Sequence, residues 1–232
     1  MTEIKTIAYD TAKDFLLPRH YSGRIPSISY AYGCYNDGNL VGVLTVGKPA
    51  SNSLCKGVCG EQYSKNVYEL NRLCVDGDLG IPLSKFVGCC LKDLSKHDII
   101  LVSYSDTAMN HHGYIYQATN FIYTGATKER TDKYTDGNKH SRHYDKSQDN
   151  SIRKVRSAKH RYIYFCTNSK RLKKEWLLSL SYPIIKDYPK GNNSNYVLGE
   201  YLQQKLIYKE WISIKSLMMF ILVEVVSGET LL

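Results

Sequence analysis

The alternation of strand-like and helix-like segments between residues 67 and 123 constrains the fold of this chain more than any other feature of its sequence. Residues 67–75 are rich in apolar and β-branched side chains and predict a strand. Residues 76–83 follow with Asp-Gly, Gly and Pro, which are typical of a loop. Residues 99–103 form a continuous apolar run, which favours a second, buried strand.

A helix is predicted between these two strands. Ser84 is a favourable N-cap, and the apolar residues that follow it recur at helical spacing: Phe86, Val87, Cys90, Leu91 and Leu94. Residues 110–120 predict a short helix and residues 121–124 a returning strand. Because a strand that feeds a helix N-terminus presents free backbone N–H groups and the positive end of the helix dipole, this order suits the binding of a phosphate.

The N-terminal part predicts further strands around a loop. Residues 2–17 predict a strand and a helix that ends at Pro18, and His20 and Tyr21 follow on a loop. Asp-Gly between apolar runs indicates a hairpin of two strands, 29–35 and 40–47. Residues 48–63 are rich in Ser, Gly, Asn and Lys, and we interpret them as a flexible loop over the site.

The C-terminal part changes composition twice, which predicts three domains: 1–126, 127–191 and 192–232. Residues 127–157 predict an extended, partly disordered arm, 159–167 a strand, 168–181 a basic helix and 196–215 another helix. The apolar run 217–226 is too short for a membrane span, which needs about 20 residues. We therefore expect no membrane partner, and we interpret the run as a packed element or as the contact of a homodimer.

The positive charge is concentrated in one stretch. Residues 127–190 contain 17 Lys and Arg against 7 Asp and Glu, whereas the rest of the chain contains 14 against 15, and the chain carries a net charge of +9. Such a concentration is typical of a nucleic-acid partner, and a solvated basic face is the alternative. The predicted nucleic-acid-binding residues are Arg153, Lys154, Arg156, Lys159 and Arg161.

The cysteines and the N-terminus indicate a reducing compartment. The chain has seven cysteines, an odd number, and its N-terminus is polar from Thr2, unlike a signal peptide. We therefore expect free thiols and a cytoplasmic location. Cys55 and Cys59 have no second pair at zinc-site spacing, so no zinc site is predicted.

Asp106 is the first candidate for chemistry. It follows the predicted buried strand 99–103, and ligands of open α/β sheets gather outside the strand ends. A carboxylate there can bind a metal or orient a base, although it can also be an ordinary N-terminal cap.

The predicted order of elements resembles the centre of the GCN5-related N-acetyltransferase (GNAT) fold, although Gly77 and Gly80 only loosely match its glycine-rich loop. The segments ELNRLCVD, SKFVGCCLKDL and SYSDTAMNHHGYIYQATNFIYTG, together with the earlier RHYSG and LVGVLTVGKPAS, resemble the phage Mom proteins. The resemblance spans residues 19–189. It implies an α/β (α+β) fold with a GNAT-like mixed central sheet, flanked by helices and followed by a basic C-terminal extension.

The resemblance also implies site residues. His20, Tyr21 and Asp106 match positions that the Mom family uses for iron binding and activity, with His20 and Asp106 as metal ligands. A tyrosine of the first hairpin is implied as well: Tyr35 is the best placement, with Tyr30 and Tyr32 as competitors, while His111 and His112 are candidates for a further ligand. Arg72 and Ser84 match the pair that contacts the cofactor, acetyl-CoA or a related donor.

The function implied is a transferase that converts adenine in phage DNA to N6-methylcarbamoyl (acetamido) adenine and so protects it from host restriction. N6 is paired and stacked in duplex DNA, so the enzyme would flip the base or act on single strands. The alternatives are a conventional GNAT N-acetyltransferase of a protein or small amine, and a non-catalytic DNA-binding protein with a GNAT-like fold.

Overall fold

The chain divides into two compact units in a computed structural model that describes residues 1–135, 152–191, 205–214 and 217–225. Of residues 208–214 and 217–225 only the backbone is described. The first unit comprises Met1–Thr127 and Lys159–Tyr201, and the second comprises Lys128–Ala158 and Leu202–Leu232. The division into 1–126, 127–191 and 192–232 follows composition and stays a prediction.

The first unit is a seven-stranded sheet with helices on both faces, which confirms the predicted α/β fold. Its elements in chain order are β1 (Thr2–Thr6), α1 (Tyr9–Leu16), β2 (Tyr30–Asn36), β3 (Asn39–Gly47), α2 (Asn52–Cys59), β4 (Val67–Val75), α3 (Leu83–Leu94), β5 (Ile99–Asp106), α4 (Tyr114–Ala118), β6 (Ile122–Ala126), β9 (Lys159–Cys166) and α5 (Lys170–Leu178). The strands lie in the order β1-β2-β3-β4-β5-β9-β6. Among the neighbouring strands of this sheet only β4 and β5 are parallel, and α3 connects them.

Three apolar clusters, one on the first face of the sheet and two on the other, hold the sheet between its helices. The predicted apolar face of α3 is buried against the sheet together with Leu70, Leu101 and Tyr162. On the other face, α1 packs on Ala31, Val43 and Cys74, and Trp176 of α5 is buried among Val67, Ile100 and Phe165. Because successive side chains of a strand alternate between faces, Tyr32 and Ala31 belong to opposite clusters.

The stretch 48–63 contains a helix, so the prediction of a flexible loop is wrong. The Ser51 side chain caps α2 by accepting from the Leu54 N–H at 3.3 Å. Cys55, Val58 and Cys59 are buried on one face of the helix. A short 3-10 helix, Glu61–Asn66, then leads into β4. All seven cysteines are free thiols, and only Cys89 is exposed.

The second unit is a four-stranded antiparallel sheet in the order β11-β10-β8-β7. Its strands are β7 (Arg130–Lys133), β8 (Ile152–Arg156), β10 (Leu206–Ile214) and β11 (Leu217–Val225). The predicted helix 196–215 is therefore wrong over 206–214, and the predicted arm 127–157 contains two paired strands within its described part. The remainder of both stretches lies outside the described residues. No helix in the described residues is long and apolar enough to cross a bilayer.

Candidate functional site

The sheet of the first unit opens between its two parallel strands. β4 and β5 pair from Val67 opposite Ile100 to Leu70 opposite Ser103. Beyond this point both strands continue but no longer pair with each other. The Ser103 hydroxyl donates to the Leu70 carbonyl at 3.1 Å where the pairing ends. The pairing of β3 with β4 shifts register close by, leaving Asn71 as an extra residue in β4. Openings at the carboxyl ends of parallel strands are common ligand sites in α/β proteins.

His20 is buried beside this opening. It follows α1, whose last turn it extends, since its backbone N–H donates to the Leu16 carbonyl at 2.9 Å. Its Nδ1 accepts the Ser22 backbone N–H at 3.2 Å and lies 3.0 Å from the Ser22 hydroxyl. Burial, and then electrostatic interactions with Arg72 and with His111, lower the pKa of His20 to about 3. The ring is therefore neutral at physiological pH.

Tyr21 stacks on His20, with 4.4 Å between ring centroids and 28° between ring planes. His111 lies edge-on to Tyr21 at 6.2 Å. Burial, followed by the Asp106 carboxylate, raises the pKa of Tyr21, while Arg72 opposes the shift. The phenol therefore keeps its proton and can donate a hydrogen bond.

Asp106 is the last residue of β5 and is only 4% exposed. The strand extends to Asp106, so its predicted end at Ser103 is wrong. One carboxylate oxygen accepts from the Ala108 N–H at 3.0 Å, and the other forms an ion pair with Lys159. Its effect on Tyr21 places this carboxylate close to the His20–Tyr21 stack.

Arg72 joins the same group from β4. Its guanidinium donates to the backbone carbonyls of Asn71, at 2.6 Å, and Arg24, at 3.1 Å. It acts electrostatically on both His20 and Tyr21. The structure thus brings together His20, Tyr21, Arg72 and Asp106, which we call the opening cluster.

Ser84 lies in α3, which packs on the opposite face of the sheet from α1. It is not the N-cap, because the helix begins at Leu83 and Pro82 occupies the cap position. The predicted capping role of Ser84 is therefore wrong. Ser84 nevertheless belongs to the first turn, where backbone N–H groups lack intrahelical acceptors.

The hairpin tyrosines do not join the opening cluster. Lys5 lies 4.4 Å above the ring of Tyr35, which pairs with Glu3 of β1. The Tyr32 hydroxyl donates to Asp93 of α3 at 2.9 Å. Tyr30 contacts the rings of Tyr68 and His97 at 5.8 and 5.0 Å.

The two adjacent histidines separate. His111 lies beside Tyr21, whereas the ring of His112 lies 6.0 Å from that of His160. Tyr123 Oη and His160 Nδ1 are 2.9 Å apart, and burial lowers the pKa of His160. His112 and His160 form a second, half-buried group that the sequence did not predict, because β9 brings His160 from a distant part of the chain.

The donor set does not fit the iron that the resemblance implies. Within the described ranges, no three His, Cys, Asp or Glu side chains gather closely enough to hold a metal ion. Asp106 is paired with Lys159, and Nδ1 of His20 is engaged by Ser22. The contacts of Asp106 and His20 therefore do not form an iron site.

The predicted DNA-binding residues fall in both units. On β8, Arg153 donates to the Thr131 carbonyl at 2.9 Å and Arg156 pairs with Asp132 at 3.0 Å, while Lys154 lies opposite Asp132 in the β7–β8 register. On β9, Lys159 pairs with Asp106 and Arg161 donates to Thr124. The guanidinium of Arg161 also lies 3.3 Å from the ring centroid of Tyr182. Sequence reasoning missed that Lys159 and Arg161 are engaged within the first unit.

A mixed sheet that opens between two parallel strands, with a helix after the first of them, defines a GNAT-like fold. The chain belongs to the Mom protein family, whose family model matches residues 1–190. Fold and family together indicate a transferase that modifies its substrate by group transfer. No curated protein matches the sequence.

Solved structures with a similar architecture are acetyltransferases. An N-acetyltransferase from Staphylococcus aureus Mu50 is 12% identical with a TM-score of 0.44, over 72% of this chain and 98% of that one. The ribosomal-protein-S18-alanine N-acetyltransferase from Escherichia coli is 11% identical with a TM-score of 0.44, over 73% and 96%. An acetyltransferase from Bacillus subtilis, solved in complex with CoA, is 15% identical with a TM-score of 0.37, over 71% and 99%.

Proposed function

We propose that this protein modifies N6 of adenine in DNA by adding a methylcarbamoyl (acetamido) group, and that the modification protects phage DNA from host restriction. The observation that carries the proposal is the convergence of His20, Tyr21, Arg72 and Asp106 at the opening between β4 and β5. These residues lie far apart in the sequence, and each matches a position that the Mom family uses.

The opening cluster supplies groups that suit an adenine. The stacked rings of His20 and Tyr21 offer an aromatic surface for a base that has left the helix. The protonated Tyr21 hydroxyl is a hydrogen-bond donor, and the Asp106 carboxylate is an acceptor for an exocyclic amine. Because N6 loses a proton when it forms a new bond to carbon, an acceptor at this place is what the reaction requires.

The donor is proposed to be acetyl-CoA or a related compound. The first turn of α3, including Ser84, and the guanidinium of Arg72 are the groups that could hold its phosphates and carbonyl from the two faces of the opening. The methylcarbamoyl group contains an amide nitrogen that an acetyl group lacks. Acetyl-CoA alone therefore cannot supply the whole group, and a nitrogen-containing source is needed as well.

The DNA partner is proposed from charge. The stretch 127–190 holds the basic excess of the chain, and phosphate contacts give affinity with little sequence preference. Both duplex DNA with a flipped adenine and single-stranded DNA fit this requirement.

Expression in bacteria followed by nucleoside mass spectrometry of the host DNA tests the proposal. We expect a modified deoxyadenosine whose mass includes the additional nitrogen, and its loss in Asp106→Asn. An N6-acetyl product would indicate conventional acetyl transfer to DNA. Unmodified DNA together with acetylated protein or amine would support the alternative GNAT N-acetyltransferase. DNA binding without any product would support the non-catalytic protein.

A further inference from the structure

Lys159 is held at a fixed place beside the opening cluster. It begins β9 directly opposite Asp106 in the antiparallel β5–β9 register, so both side chains leave the same face of the sheet. Its backbone is fixed as well: its N–H donates to the Thr127 hydroxyl at 3.0 Å, and its carbonyl accepts the Thr127 N–H at 2.9 Å. The ammonium forms an ion pair with Oδ2 of Asp106.

The two members of this pair differ in burial. The Asp106 side chain is 5% exposed, whereas the Lys159 side chain is 30% exposed. An ionised carboxylate at such a depth is costly unless it is paired and hydrogen-bonded. Lys159 contacts one oxygen of Asp106 and the Ala108 N–H donates to the other. The orientation of the carboxylate is therefore fixed before any substrate binds.

We infer that Lys159 is a positioning residue that orients the Asp106 carboxylate for the proposed adenine modification, and is not a phosphate contact of the DNA. This inference rests on the proposed function, because it assigns Lys159 a part in that reaction. It removes Lys159 from the basic residues counted toward DNA affinity. Lys92 is an exposed lysine in the last turn of α3, outside the basic stretch 127–190, and it has no ion-pair partner among the described residues, so it provides the comparison.

Three variants test the inference: Lys159→Met, which keeps the stem and removes the charge, Lys159→Arg, which keeps the charge, and Lys92→Met as the matched control. Turnover and apparent KM for DNA are measured separately, together with the salt dependence of DNA binding. We expect Lys159→Met to lower kcat about tenfold or more with KM for DNA changed less than about twofold. Lys159→Arg should recover most of the lost kcat, and Lys92→Met should leave kcat unchanged.

The opposite pattern would overturn the inference. If Lys159→Met weakens DNA binding, flattens the slope of log K against log salt by about one unit and leaves kcat intact, Lys159 contacts a phosphate. A loss of kcat that Lys159→Arg does not recover would also contradict a charge that positions Asp106.

A double-mutant cycle in urea separates this inference from the proposed function. Lys159→Met and Asp106→Asn should each lower the unfolding midpoint. The double variant should be no less stable than the less stable of the two single variants. If the wild-type protein modifies no adenine, the proposed function fails whatever the cycle shows. If the two effects on stability are additive, Lys159 and Asp106 are not coupled, and the inference is wrong even if the enzyme is active.

Discussion

His20 is an uncharged histidine in a basic protein. His20 is 6% exposed and its ring stacks on Tyr21, and electrostatic interactions with Arg72 and His111 add to burial in disfavouring the protonated form. The neutral ring is required for its present contacts, because Nδ1 accepts a backbone N–H and cannot do so when protonated. The folded state therefore resists protonation of a group that the unfolded chain protonates readily.

This predicts a pH dependence of stability. The pKa of His20 falls from 6.5 to about 3 on folding, so between these values the unfolded state binds more protons. The free energy of unfolding should therefore fall as pH decreases below about 6.5, by at most about 1.4 kcal/mol per pH unit from this residue. His20→Gln should reduce that slope in urea titrations at several pH values, whereas the exposed His97→Gln should not. Equal slopes in both variants would contradict the buried neutral ring.

A second prediction concerns Arg72. Arg72→Ala removes the positive charge beside His20 and Tyr21 and two hydrogen bonds to backbone carbonyls, so adenine modification should fall by at least about tenfold. The fold should persist, as measured by circular dichroism. Lys92→Ala, at an exposed position of α3 outside the basic stretch, should leave nucleoside mass spectra unchanged. Retained modification in a folded Arg72→Ala protein would show that no anionic donor is held at this position.

The residues of the opening cluster differ in how well the sequence revealed them. Asp106 could be predicted from the strand it ends, whereas His20, Tyr21 and Arg72 depended on family resemblance. The distribution of side chains over the two faces could not be predicted, because one extra residue at Asn71 changes which side chains of β4 point to which face.

At the scale of elements, two serines with similar sequence signals have different roles. Ser51 caps α2 through its side chain, but Ser84 lies inside α3 and makes no such bond. Ser51→Ala should therefore lower the free energy of unfolding by about 1 kcal/mol, and Ser84→Ala by less than about 0.5 kcal/mol. Chemical denaturation measures both. If Ser84→Ala is the more destabilising change, the helix begins later than the structure shows.

There are physical reasons why the sequence patterns did not predict some of the elements. The apolar face of α2 consists partly of Cys55 and Cys59, which were weighed as metal ligands instead of as small core residues. β10 was predicted as a helix, although Ile207, Trp211 and Ile214 are typical strand formers. By contrast, β4, α3 and β5 were recognised because length, loop residues and periodicity agree in each of them.

At the scale of the whole molecule, the basic stretch predicts salt-dependent DNA binding. If about six phosphates are neutralised, log K should fall with log salt at a slope near −5, from ~0.9 per phosphate. Replacing Arg153, Lys154 and Arg156 of β8 by alanine should flatten the slope by up to about three units. Lys5, Lys13 and Lys92, outside the basic stretch, form the control set. An unchanged slope by fluorescence anisotropy would leave the stretch as a solvated basic face.

The connection between the two units predicts that the first unit can fold without the second. Thr127 and Lys159 hydrogen-bond to each other, so a short turn can join them in place of residues 128–158. Residues 1–127 and 159–201 linked in this way should give a soluble, cooperatively unfolding protein. Residues 1–126 alone should aggregate. A soluble, folded 1–126 fragment would contradict the central position of β9.

The place of β9 between β5 and β6 also has a consequence for biosynthesis. While the ribosome extends the chain from Ala126 to Lys159, the nascent β5 has one hydrogen-bonding edge without its native neighbour. A strand whose neighbour is synthesised much later pairs slowly, and until then its edge is exposed to other chains. The yield of this protein in cells should therefore depend on chaperones and translation speed more than its final stability suggests.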